Sequence, residues 1–213
     1  MIFYRPTDGD PQTTSIIYRP RTCFLLTQLR EPLPNIITRI REELSAILHS
    51  NNIDIIDANT VVTGRDFLLK IWNLILSVPL GIAVVHEEMS ERTLANIFYE
   101  LGMMHAYGKE TLVVKTSGFE IPSDLIRNEY VKFSDKFQSN IERYLDTFFK
   151  QSEYYKLVSS QLENNPLLAI DYLKRAYLIS GDDSLREEAI SIFNDAALEN
   201  RARNSVEMLL IDF

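Results

Sequence analysis

The chain has 213 residues, 46% of them apolar and 24% charged, and a net charge of −8. That is enough apolar side chain for one sizeable core plus a smaller appendage, and too acidic a balance for wrapping nucleic acid through its phosphates. No stretch approaches the roughly 18–20 apolar residues of a membrane span, and the start, MIFYRPTDGD, lacks the basic-then-apolar order of a secretory signal, so a cytoplasmic location is expected.

Residues 1–21, polar and with three prolines, read as an extended N-terminal arm. TCFLLTQ (22–28) is a first short strand. Its Cys23, the single cysteine, reads as a small buried residue and leaves no internal disulfide and no cysteine-based zinc site. NIITRIREELSAILHSNN carries Ile36, Ile37, Ile40, Leu44, Ile47 and Leu48 at helical spacing, with Asn35 as its N-cap. IDIIDA (53–58) is a second strand. TGRDFLLKIWNLILSV is a strongly apolar helix closed by Pro79. LGIAVV (80–85) has no polar residue, as suits a strand buried on both faces. SERTLANIFYELGMMHAYG is a third helix, and Gly102 in it is expected to allow close helix–sheet packing. ETLVVKT is a fourth strand, and a fifth is expected at about 130–133.

Strand and helix alternate four times, which predicts an α/β fold: a flavodoxin-like, Rossmannoid five-stranded parallel sheet with helices on both faces. No GxGxxG follows the first strand, so an ordinary dinucleotide-binding loop is not supported. Residues 134–213 show only helical patterns and form an all-α C-terminal region: a long helix to the Asn164-Asn165-Pro166 break, a helix stopped by Gly181, one opened by a Ser184-x-x-Glu187 capping box, and a last helix, NSVEMLLIDF. No His/Cys/Asp cluster has metal-ligand spacing.

In an open parallel sheet a ligand sits at the carboxyl ends of the strands, near the point where strand order reverses. That rule collects Thr27 and Gln28 after the first strand, Asp57 after the second, and His86, Glu87 and Glu88 after the third. It adds Arg65, which is near the rim and able to hold a phosphate. Asn96 and Glu100, spaced by four, share one face of the third helix and are expected in its first two turns. Met103 and Met104 flank Glu100, and partial burial there would favour its neutral form.

The sequence Asn96-x-Phe98-Tyr99-Glu100-Leu101-Gly102, followed by His105-Ala106-x-Gly108-Lys109 and an apolar strand, resembles the nucleoside 2-deoxyribosyltransferase-like and TIR-like group of bacterial proteins. CFLLTQL resembles that family's opening strand and IPSDLIRNEYVKF its closing segment, so the resemblance covers roughly residues 22–133. It implies an N-glycosidase. Glu100 would act as nucleophile or oxocarbenium stabiliser at the anomeric carbon of a nucleoside, a nucleotide or NAD. Asn96 would hold a ribose hydroxyl or orient the carboxylate, and Tyr99 would line the sugar pocket. Many relatives carry an Asp at the end of the third strand, then Thr-Gly-x-Asn-x-Asn. Here HEEMSERTLAN stands instead, with His86 at the approximate Asp position.

The expected activity is hydrolysis of NAD or a related nucleotide as substrate, with no cofactor required, as in effectors of bacterial antiviral systems. Residues 134–213 would serve a homo-oligomer or a partner protein. The competing expectation is a non-catalytic nucleotide sensor or scaffold that signals through the helical region.

Overall fold

The computed structural model describes residues 9, 16–29, 32–59, 67–123, 130–162 and 164–195, with the backbone alone at Phe67. Strands and helices alternate as β1 (Thr22–Leu26), α1 (Asn35–Ser50), β2 (Asp54–Ile56), α2 (Phe67–Ser77), β3 (Leu80–Val85), α3 (Glu91–Ala106), β4 (Glu110–Lys115) and β5 (Tyr130–Lys132). Three helices follow: α4 (Phe137–Ser160), α5 (Pro166–Ser180) and α6 (Ser184–Asp195). The five strands pair in parallel in the order β2-β1-β3-β4-β5, the flavodoxin-like arrangement the alternation predicts. The segment expected to form a last helix, 204–213, lies outside the described residues.

Every residue of β1 and β3 is buried, because both faces of the sheet are covered. Cys23, Leu25, Ile82 and Val84 pack with α1 and α4. Phe24, Leu26, Ala83 and Val85 pack with α2 and α3. Leu80 to Val85 supply both faces through the period of two of an extended chain. Gly81 is where α3 comes closest to the sheet: a Cβ there would lie 2.1 Å from Met104 Sδ. Gly102 does not have that role. It is exposed, and a Cβ on it would meet nothing within 4 Å, because two residues' separation puts it on nearly the opposite side of α3 from Met104.

The helical region does not begin as a separate layer. Phe137, Ile141, Leu145 and Phe148 of α4 complete the core on the α1 face of the sheet. The later turns of α4 carry α5 and α6 around a second cluster that includes Ile170, Leu173, Leu185 and Ala189. Buried Ser152 and Ser159 donate to the carbonyls of Ala176 and Ala169 at 3.1 and 3.0 Å, and these small side chains let α4 and α5 approach closely. Asn165 caps α5 by accepting from the Leu168 N–H, Pro166 takes the first helical position, and Gly181 ends the helix at φ +70°.

Arg21 ties these parts together. Its N–H donates to Leu178 O at 2.8 Å. Its guanidinium donates to the carbonyls of Asn51 and Asn52 just past α1 and of Ser180 at the end of α5, where a cation also meets the negative ends of the helix dipoles. The same group lies 4.8 Å over the ring of Phe149.

Leu145 and Leu157 lie on the same helix in opposite surroundings, one fully buried and the other 57% exposed. Leu145→Ala is expected to lower unfolding stability by about 2–5 kcal/mol through lost transfer energy and a cavity, and Leu157→Ala by no more than about 0.5 kcal/mol. Denaturant unfolding of the two variants measures the contrast.

Candidate active site

The chain leaves β1 toward α1 on one face of the sheet and leaves β3 toward α3 on the other. Neighbouring strands whose connections part in this way open a crevice at their carboxyl ends. There the structure has an open cleft of about 480 Å³, lined by Gln28, Glu88, Ser90, Arg92, Thr93 and Asn96. That volume lies within the range of small-molecule sites.

The start of α3 determines what reaches the cleft. Ser90 is its N-cap: Oγ accepts from the Thr93 N–H at 3.2 Å and lies 2.9 Å from Thr93 Oγ1. Helix geometry then brings residues 92, 93 and 96 to the rim. Glu100 is the tenth residue of α3, roughly 13 Å along the axis from its first. It therefore belongs to the third turn and not to the first two, and it does not line the cleft. One turn separates it from Asn96, which does.

Glu100 lies deeper than its rim neighbours. It shares a side of α3 with Met103, whose Sδ accepts a 3.0 Å hydrogen bond from Trp72 Nε1 of α2. Burial pushes its carboxyl up to about 7 from 4.5, and no hydrogen bond or ion pair compensates it among the described residues. A carboxyl raised by desolvation alone, beside a cleft, is a group able to exchange a proton or stabilise a cation near neutral pH.

His86 and Thr27 follow the ends of β3 and β1, and both are buried. Neither His86 Nε2 nor Thr27 Oγ1 has a hydrogen-bond partner among the described residues. Burial holds the His86 imidazole below its ordinary value, against the opposing pull of Glu87 and Glu88. Next to it, Glu87 accepts from the Thr116 hydroxyl, and that bond holds its carboxyl below the usual range. A Cβ on Gly118 would meet Glu87 Oε1 at 2.9 Å, so the loop after β4 closes against the loop after β3.

The remaining sequence candidates fall elsewhere. Asp57 is engaged by Arg41 of α1 at 3.2 Å and accepts from the Asn59 N–H at 2.9 Å, so it fastens α1 to the end of β2. Tyr99 is 49% exposed and is not part of the cleft lining. Arg65 lies outside the described residues. His105 Nε2 lies 2.5 Å from Thr111 Oγ1, a helix-to-strand contact away from the cleft. Arg92 was not among the residues collected by the strand-end rule, yet it supplies the cation of the cleft lining. Its signal was Ser90 as N-cap, which puts residue 92 in the first turn at the rim.

Among the described residues no three His, Cys, Asp or Glu side chains are grouped to hold a metal ion, and no helix is long and apolar enough to cross a membrane. No protein-family model matches the chain, and no curated protein matches it significantly.

The raised Glu100 carboxyl has a consequence for stability. The folded protein keeps this proton to about pH 7, whereas the unfolded chain releases it near 4.5. Between those values the folded state binds more protons, so stability falls as pH rises. Glu100→Gln removes the penalty. The variant is expected to gain up to about 3 kcal/mol over the parent at pH 8, with the gain fading below about pH 4.5. Paired melts across this range measure it.

Proposed function

We propose that the chain is an N-glycosidase acting on NAD or a related nucleotide or nucleoside, with water as acceptor and Glu100 as the catalytic carboxylate. The observation that carries this reading is Glu100 itself. It is a carboxyl without a partner among the described residues, raised to about 7 by burial, one helical turn from the Asn96 that lines the cleft. The resemblance of residues 96–109 to the deoxyribosyltransferase-like and TIR-like group points to the same glutamate.

The chemistry follows from charge. As the C1′–N bond breaks, its electron pair leaves with the base and positive charge builds on the sugar. A fixed carboxylate in a poorly solvated setting stabilises that charge strongly, either as an ion pair or by forming an ester that divides one hard step into two. Water then adds at C1′ and gives up a proton. With NAD the products are nicotinamide, ADP-ribose and that proton. Asn96 and Arg92 both line the cleft; Asn96 would hold a ribose hydroxyl, and Arg92 at the start of α3 a phosphate. The exposed Tyr154 and Leu157 of α4 and Ile190 of α6 would supply apolar contacts to a second copy or a partner, the regulated arrangement expected of a defence effector.

A second reading, a sensor that binds a nucleotide without cleaving it, is favoured by the position of Glu100 one turn beyond the cleft lining. Chromatography of the full chain incubated with NAD and a nucleotide panel separates the two. Released base that falls by about 10²-fold or more in Glu100→Gln supports the glycosidase. Binding without release supports the sensor. Because the ionised carboxyl is the working form, kcat/KM is expected to rise with pH and level off above about 7. A flat profile from pH 5 to 9 contradicts Glu100 as the group.

A further inference from the structure

The amino ends of the strands, opposite the cleft, border a second hollow. Leu76 at the end of α2, Gly108 and Lys109 just before β4, and one face of α5 surround it. Asp171, Lys174, Arg175 and Leu178 make that face, at spacings of three and four that share one side of a helix. The cavity is about 50 Å³ and partly open to solvent. At roughly 10–15 Å³ for each water-sized atom, it has room for the oxygens of one phosphate group.

Charge around this cavity is unbalanced. Among the described residues that line it stand three cations, Lys109, Lys174 and Arg175, and one carboxylate, Asp171. That carboxylate is already engaged by Arg175 Nε at 3.0 Å. Glu110, next to Lys109, lines an adjoining hollow, and burial pushes its carboxyl up, which disfavours its charged form. Gly108 lets Arg175 come beside Lys109: a Cβ there would meet Arg175 Nη1 at 3.0 Å, and its φ of +64° suits glycine. Lys174 is 7% exposed and its Nζ lies 3.7 Å from the ring centroid of Tyr18, which also lines the cavity. Lys109 donates to Leu76 O at 2.9 Å, one of the three bonds an ammonium can donate. Burial, then Arg175 and Lys174, pull its amine down to about 7, against the opposing effect of Asp171. Cations gathered on one cavity disfavour one another's charge, and an anion among them lifts that penalty.

We infer that this cavity binds a phosphate group, held by Lys109, Lys174 and Arg175. Arginine presents a planar fork to phosphate oxygens and lysine a point charge. A phosphate there joins α5 of the helical region to the start of β4 and so stabilises the folded arrangement of the two. The cavity lies at the other end of the sheet from the cleft, and the inference depends neither on Glu100 nor on what the cleft binds.

Calorimetric titration of the full chain tests it, with inorganic phosphate and glycerol 3-phosphate as probes and sodium chloride at equal ionic strength as the control. Tighter binding of inorganic phosphate supports a site for the free ion, and equal or tighter binding of glycerol 3-phosphate a site for a phosphate ester. Lys109→Gln, which keeps an N–H donor for the α2 carbonyl, is expected to weaken binding about tenfold or more. Arg92→Gln, in the cleft, is expected to leave it unchanged. A second measurement needs no variant: in the parent chain phosphate is expected to raise the Lys109 amine above about 7, read by side-chain nitrogen NMR. Phosphate that binds no better than chloride, an affinity that survives Lys109→Gln or is lost in Arg92→Gln, or a Lys109 titration that phosphate leaves unchanged would overturn the inference.

Discussion

The site depends on one topological constraint: the chain leaves two adjacent strands toward opposite faces of the sheet. β1 lies beside β3, and their connections run to α1 and to α3. Neighbouring strands whose connections part in this way open a crevice at their carboxyl ends, so the crevice is a consequence of strand order itself. The full burial of β1 and β3 fixes their register, with Leu26 level with Ala83, because a slip of one residue would exchange the two faces. Packing that serves the core thereby also sets where Gln28 and Glu88 stand at the cleft.

The position of α3 relative to the sheet comes from two contacts at different ends of the helix. Ser90 fixes where it starts. Met104, resting where Gly81 has no side chain, fixes how closely it approaches β3. Between these points the helix carries Arg92 and Thr93 to the cleft in its first turn, Asn96 in its second, and Glu100 toward apolar surroundings in its third. Among the described residues Glu100 has no compensating partner, an arrangement that weakens the fold at neutral pH. Natural proteins tolerate such local loss of stability where it serves a site.

Much of this fold is legible in the sequence because its signals are local. Ile-Ala-Val-Val in β3 has no polar interruption, α1 has a clean helical period, and Asn165-Pro166 and Gly181 mark both ends of α5 by their own chemistry. What fails to show is set by tertiary structure. Asp57 satisfies the strand-end rule, but Arg41 reaches it from α1 and turns it into a fastening. Gly102 carries the composition of a packing glycine on the wrong side of α3, while Gly81 does the packing from within a strand. Residues 134–213 read as a separate helical segment, yet the first half of α4 is part of the sheet's core. The burial of Thr27 and His86 at the ends of β1 and β3 likewise exists only once the sheet is covered on both faces.

The central claim is that Glu100 is held poised near neutral pH so that a cationic sugar at the cleft can draw it into the ionised form. Titration of its side-chain carboxyl by carbon-detected NMR, free and in complex with a cationic iminoribitol that mimics the oxocarbenium ion, tests this directly. The account predicts a midpoint near 7 in the free protein and an ionised carboxylate at pH 6 in the complex. A midpoint near 4.5 in the free protein, or a titration that the cation leaves unchanged, would contradict it.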